Sequence, residues 1–392
     1  MKEHKMNSGY KNRSQRLIIT AFLCFLAVAI TGVWMRALPW ITSKIPFANL
    51  LHAHSHTAML GWAFLMIVAG IIAQYQLNST FLRRSLFVVI FAIVGMFAAF
   101  IYQSYGAISI GFSTLYVLSA YVILIHINKK IPATNSGNPL LKRSIIWFFI
   151  STLGIWAMGP VSSMLGKTHW LYDICIQIFL HFQINGWLFY AVLGLLLKNG
   201  EMKPKFIQLF DISLILTAFL PFYWIEQFWV FYGLNALGSM LQFLVLLVIT
   251  HSIYRLPVAN SMERFGQYTV ILFILIKAIS QCTAVVPEIA ASIVSQRYLI
   301  LTFLHAVLIG IVSIGLIWNM LRIKLLQIKP TFHIGFLLFF IGFMITEILL
   351  LIQGFGYYAK ANLVLLLLFS CVMLLGILGM LISLIFIYSS KK

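Results

Sequence analysis

The sequence predicts an all-α, polytopic membrane bundle of about 12 transmembrane helices with both termini in the cytoplasm. Composition, the length of the apolar runs and the placement of basic residues carry that expectation. Of the 392 residues, 62% are hydrophobic and 9% are charged, against about 45–50% and 25% in a soluble domain. Mean hydropathy is +0.99. A soluble enzyme, a disordered regulator and a disulfide scaffold are excluded. Apolar residues run through nearly the whole chain, so residues 1–392 read as a single transmembrane domain. Within it, residues 1–16 form a basic cytoplasmic tail and residues 37–50 an interfacial segment on the outer surface.

Runs long enough to cross about 30 Å of hydrocarbon fall near residues 17–36, 51–75, 85–103, 106–127, 144–163, 170–197, 206–226, 233–254, 267–286, 298–320, 332–353 and 361–388. Open backbone is not tolerated in lipid, so these are helices. No small-residue cleavage site follows residues 17–36, which makes them a first span rather than a leader. Pro, Gly, Asn and Ser punctuate the loops, as between Asn128 and Pro139. The stretch from Leu38 to Asn49, with Pro39, Trp40, Ile45 and Phe47, is too short and too polar to cross. No tandem repeat is visible along the chain.

The charge of +19 comes from 27 Lys and Arg. They cluster in alternate loops and tails, as Lys11, Arg13 and Arg16, then Arg83 and Arg84, then Lys129, Lys130, Lys142 and Arg143. The intervening loops hold only Arg36, Lys44, Lys167, Arg297 and Lys360. That bias is the positive-inside pattern, and it sets the orientation. A nucleic-acid stripe would not alternate with membrane spans, so the expected partner is the lipid bilayer and nucleic acid is not. The four cysteines are far apart in apolar segments and have no metal or redox spacing.

Ionisable groups inside spans are expensive and face a cavity, a cofactor or one another. Of ten histidines, His52, His54 and His56 open span 2, His181 lies in span 6 and His305 in span 10. At 1.5 Å per residue, His56, His305 and His181 lie about 8, 10 and 15 Å from the start of their spans. All three spans start outside, so the rings are expected at one level in the outer half. Residues turn 100° apiece, so His54 and His56 point to nearly opposite sides while His52 and His56 share a face. Neutral imidazole ligates haem iron, copper or zinc. A flat macrocycle between helices takes ligands from both sides, and His54 and His56 can each offer one, with His181 and His305 as partners. The alternative for each ring is a hydrogen bond to a backbone carbonyl or to interfacial water.

His54-Ser55-His56-Thr57-Ala58-Met59-Leu60-Gly61-Trp62 has the pattern H-x-H-x-x-x-x-G-W. It resembles the haem-bearing helix of the haem–copper oxidase subunit I superfamily, which includes the nitric-oxide-reductase catalytic subunits. Leu180-His181-Phe182-Gln183-Ile184-Asn185-Gly186-Trp187, and Leu304-His305-Ala306 with Gly310, are similar to companion motifs. The whole chain resembles small twelve-span relatives of subunit I and NnrS-like haem membrane proteins. The motif likeness covers about 25 residues, the architecture the whole length. The resemblance implies haem, with copper as a further metal, and His54, His56, His181 and His305 as ligands, with His52 as an extra. Arg36, ahead of Lys167 and Arg297, would pair a haem propionate, since a guanidinium matches a carboxylate bidentately. It also implies a bacterial cytoplasmic membrane, an electron donor or respiratory subunits as partners, and electron transfer or nitric-oxide handling as the activity. There are departures. The H-x-H helix of the oxidases is the tenth span and here is the second. The seventh span, Trp224-Ile225-Glu226-Gln227-Phe228-Trp229, has no histidine where the family places copper ligands, and span 10 carries one histidine rather than two.

Glu226, Glu288, Glu347 and Asp173, with Gln103 and Gln353, lie toward the outer ends of their spans, as an access path, a metal's outer shell or ordinary interfacial residues. Lys277 sits about ten residues into span 9 with Gln281 one turn on. The resemblance implies that Lys277, Gln281 and Glu347 form a proton route. Two other functions compete with a haem-dependent oxidoreductase. One is a cofactor-free transporter or channel that uses the histidine and carboxylate cluster; the other is an assembly subunit that has lost its chemistry.

Overall fold

The computed structural model describes residues 2–132, 137–198, 202–222, 229–357 and 359–389. Among them are thirteen helices and no strand: α1 (Lys2–Ala37), α2 (Phe47–Gln74), α3 (Thr80–Gln103), α4 (Ala107–Asn128), α5 (Gly137–Met164), α6 (Trp170–Leu196), α7 (Pro204–Phe222), α8 (Trp229–Tyr254), α9 (Ser261–Thr283), α10 (Pro287–Ser295), α11 (Arg297–Arg322), α12 (Pro330–Gly354) and α13 (Lys360–Ser389). All but α10 are long and apolar enough to cross a membrane. The protein is a multi-pass helical membrane protein.

The spans match the sequence expectation to within a few residues, with two local corrections. The basic tail is helical, because α1 runs from Lys2 into the first span without a break. The interfacial stretch is shorter than residues 37–50. Pro46, extended at φ −61° and ψ 148°, caps a helix that starts at Phe47, and only residues 38–46 link α1 to α2. A proline's fixed φ and missing N–H suit a helix entrance. Pro287 is instead the first residue of α10, with Val286 at its cap, in a stretch between two expected spans.

The chain packs as two units, residues 1–130 with 320–392, and residues 131–319. In the first, α1 lies against α2 and α13, α3 pairs with α4, and α12 pairs with α13. In the second, α5 packs on α6, α7 on α8, α8 on α9, and α9 on the middle of α11. The spans differ in how far they are enclosed. In α2 and α6, 83% of the membrane-crossing stretch is buried, against 28% in α13. Peripheral spans carry apolar side chains outward at helical spacing: Phe87, Phe91 and Val94 on α3, and Leu237, Met240 and Leu244 on α8, are all exposed. Such faces are stable only against lipid.

The α12–α13 pair shows how helices hold together where solvent gives no hydrophobic drive. Glycines let the two backbones touch, which maximises van der Waals contact. A Cβ at Gly376 would stand 2.6 Å from the Gly335 carbonyl oxygen and against the Phe339 amide; one at Gly342 would stand 2.7 Å from the Phe369 carbonyl. Backbone cannot yield as a side chain can. Gly376→Leu is therefore expected to lower the thermal midpoint of the detergent-solubilised protein, at a cost of about 3 kcal/mol or more. Gly111→Leu, with nothing within 4 Å of its Cβ position, should leave the midpoint in place.

Candidate functional site

The three histidines of α2 divide between two sides of the helix, as their spacing requires. His54 faces α1: its Nδ1 lies 2.9 Å from the Val28 carbonyl oxygen and 3.4 Å from Thr31 Oγ1. Its Cε1 lies 3.2 Å from where a Cβ on Gly32 would stand, so the missing side chain on α1 makes room for the ring. Arg36 follows one turn along the same Val28–Gly32 face and is half-buried. His52 and His56 face the other way, toward the end of α3 and the start of α4. Their rings are 6.2 Å apart, and that of His56 lies 4.4 Å from the Phe100 ring. His56 Nδ1 lies 3.0 Å from the His52 carbonyl oxygen, and Nε2 lies 3.2 Å from the Tyr105 hydroxyl. A carbonyl oxygen only accepts, so in both His54 and His56 the neutral ring carries its proton on Nδ1 and its lone pair on Nε2.

A feature of α2 recurs in two other helices. Directly after His56 the winding loosens to a π-helix over Thr57–Ala63. The same happens after His181, over Phe182–Leu188, and after His305, over Ala306–Ser313. The wider winding shows in its bonds, with Phe64 N–H donating to the Met59 carbonyl, Phe189 to Ile184 and Ile314 to Ile309. In each case a glycine stands five residues after the histidine, and in each it packs against the membrane-crossing helix that precedes it in the chain. A Cβ at Gly61 would meet Cys24 Sγ of α1 at 3.2 Å, one at Gly186 would meet Trp147 Cβ of α5 at 2.7 Å, and one at Gly310 would collide with the Phe273 ring of α9. Short π segments inside α-helices concentrate at functional sites. At 1.5 Å per residue the three histidines stand about 12–17 Å from their helix starts, so they share a level along their own helices.

The position two residues before each histidine faces the same preceding helix. In α6 it is Phe179, packed where Gly154 of α5 lacks a side chain. In α11 it is Phe303, whose ring centre is 6.0 Å from Lys277 Nζ of α9. Only α2 places an imidazole there, His54.

In the second unit, His181 Nε2 donates to the Leu214 carbonyl of α7 at 2.9 Å. Its lone pair is therefore on Nδ1, the opposite tautomer from His54 and His56. His305 is half-buried, at the last residue before the π segment of α11. Lys277 is fully buried. Its Nζ donates to Gln281 Oε1 at 2.7 Å and to Gln242 Oε1 at 3.3 Å, and stands 5.5 Å from the Phe189 ring centre. Its polar partners are amides, with no carboxylate in ion-pairing reach among the described residues of its unit. Glu347 is buried in α12 of the other unit.

Of the further carboxylates, Asp173 and Glu288 are exposed, as interfacial residues are, and Glu226 lies outside the described residues, as do its neighbours from 223 to 228. Sequence reasoning passed over Asp211, which is buried in α7. Its Oδ2 lies 3.1 Å from Arg143 Nε, and Trp147 Nε1 donates to its Oδ1 at 3.3 Å. The signal was a lone acid seven residues into span 7. Arg143 had been counted only as a loop charge.

Two of the ring placements leave Nε2 as the nitrogen that could hold a metal. A histidine that binds iron holds its other nitrogen in a hydrogen bond to a carbonyl or carboxylate, which fixes the tautomer and raises its basicity. His54 and His56 have that arrangement, with Nδ1 on a carbonyl and the lone pair on Nε2. His181 has the reverse arrangement, with Nε2 held by Leu214 and Nδ1 the nitrogen left for a metal. Among the described residues, no three His, Cys, Asp or Glu side chains stand together as a metal cluster.

Compared with models of known protein families and with curated protein sequences, the chain matches none.

The recurrent glycines are expected to be limited by the side chain each one meets. Alanine at Gly186 or Gly310, against Trp147 Cβ or the Phe273 ring, should cost about 1–3 kcal/mol of overpacking, read as a lowered thermal midpoint. Alanine at Gly61, against the smaller Cys24, should cost less, and at Gly159, with open space, nothing.

Proposed function

We propose that this is a haem-binding integral membrane protein in which His54 and His56, on opposite sides of α2, would hold iron. The observation that carries the reading is the shared tautomer of the two rings, each locked by a backbone carbonyl, at 2.9 Å and 3.0 Å. One helix cannot place both rings on one iron, so each serves a separate group. Bound haem supplies one-electron exchange and a site for a diatomic ligand. The protein's own residues do the rest. Val28 and His52 carbonyls orient the rings. Arg36, one turn beyond His54 on α1, supplies the cation for a propionate. Tyr105, whose hydroxyl lies 3.2 Å from His56 Nε2, would have to release that nitrogen for it to hold iron. Electron transfer or nitric-oxide handling in a bacterial cytoplasmic membrane, fed by a donor or by respiratory subunits, is the activity that follows.

The purified protein is expected to show a Soret band and bound iron. His54→Ala and His56→Ala should each remove part or all of it. His181→Ala should leave the band intact, because Leu214 and not a metal holds its Nε2. A colourless, iron-free protein purified from haem-replete cells overturns the reading.

A second reading, a transporter or channel without a cofactor, is favoured by one observation. Lys277 is a fully buried amine that donates to Gln242 and Gln281, and intramembrane cations of this kind mark substrate or proton pathways. Under it, Lys277→Met abolishes solute or proton flux in proteoliposomes and no chromophore is present. Under the haem reading, the same variant keeps its spectrum.

A further inference from the structure

In the first unit a cavity of about 460 Å³ opens between the early part of α1, the α2–α3 connection and the first turns of α3. Arg13, Arg16 and Arg83 stand around it, and Leu17, Leu86, Phe87 and Ile90 form its apolar wall. Helical spacing makes these two coherent stripes: Arg13, Arg16, Leu17 and Thr20 on α1, and Arg83, Leu86, Phe87 and Ile90 on α3. Arg13 is held in place by the connection, its Nη1 donating to the Ser79 carbonyl at 3.1 Å and its Nη2 to Asn78 Oδ1 at 3.0 Å. Gly9 leaves room for Asn78, since a Cβ there would stand 2.8 Å from Asn78 Nδ2.

No Asp or Glu lines the cavity, and among the described residues none of its three arginines is in an ion pair. Like charges gathered around one opening repel unless an anion joins them. Guanidinium forks match phosphate oxygens bidentately, with charge-assisted hydrogen bonds. The apolar wall is equally informative. Leu17 and Leu86 are buried, whereas Phe87 is 73% exposed on the lipid-facing stripe of α3, so the cavity continues from a cationic rim into the hydrocarbon. At about 460 Å³ it is larger than a bare ion needs. Arg83, Arg84 and the α1 tail also belong to the face that the basic bias assigns to the cytoplasm, where anionic lipids concentrate.

We propose that this cavity binds a phosphate group, carried by an anionic phospholipid whose acyl chains lie along Leu17, Leu86, Phe87 and Ile90. The test uses the full-length protein in detergent, with retention of phosphatidylglycerol, phosphatidylcholine or inorganic phosphate read by native mass spectrometry and by thermal shift. Phosphatidylglycerol is expected to be retained over phosphatidylcholine. Arg16→Gln, which leaves the Arg13 bonds to Ser79 and Asn78 intact, should weaken that retention about tenfold, the worth of one charge-assisted hydrogen bond. Arg84→Gln, exposed and outside the cavity, should leave it unchanged, and Phe87→Ala should weaken lipid but not phosphate. Phosphate that stabilises the protein and competes with the lipid, together with an inert Phe87→Ala, supports the phosphate site and overturns the lipid as its source. Equal retention of the two lipids with no response to phosphate, or an Arg84→Gln effect as large as that of Arg16→Gln, overturns the proposal.

Discussion

Hydrocarbon holds no water, so the backbone polar groups along these helices have to find their partners within the protein. The arrangement of α2, α6 and α11 follows from that constraint. The N–H groups of their π segments still pair, one residue further back than in an α-helix. His54 and His56 satisfy their Nδ1 protons on carbonyls from α1 and from their own helix, and His181 uses a carbonyl of α7. Lys277 draws two amide oxygens to itself, and Asp211 draws a guanidinium and an indole. Where a span meets lipid instead, as α3 and α8 do, its side chains are Phe, Val, Leu and Met.

The same constraint explains how much was legible before the structure. Twelve spans could be placed because hydrocarbon thickness fixes a minimum run of apolar residues, and the chain has almost no other material. The opposed directions of His54 and His56 could be read because 100° per residue leaves no choice on a regular helix. The start of α2 was placed too late because Phe47, Ala48 and Asn49 look interfacial, yet Pro46 fixes the helix entrance. The π segments were hidden for a different reason. Apolar periodicity assumes one winding throughout, and no residue type announces a looser turn. The glycine five residues after each histidine was in plain view within the motifs, but its meaning depended on seeing which helix lies against it. Asp211 escaped because a single carboxylate in an apolar run looks like noise until Arg143 is found beside it.

Tautomers separate the histidines more sharply than position does. His56, His181 and His305 stand at comparable levels on their helices, which makes them look equivalent. The proton on each ring shows otherwise for two of them, since His56 presents Nε2 as its base and His181 presents Nδ1. Helix geometry brings side chains to a level, whereas the carbonyl that each ring meets decides what chemistry is left to it. Those carbonyls belong to Val28, His52 and Leu214, and what a backbone carbonyl does in a site is invisible at the level of residue type.

The position two places ahead of the motif histidine has a wider consequence. It holds a phenyl ring in α6 and α11 and an imidazole in α2, while the surrounding backbone, glycine and neighbouring helix keep the same plan. Exchanging one flat ring for another leaves the scaffold undisturbed, so three structurally kindred helices can be assigned different tasks by a single aromatic choice. In such a framework, chemical specialisation is separable from architecture, and a donor atom can be gained or lost without refolding the rod that bears it.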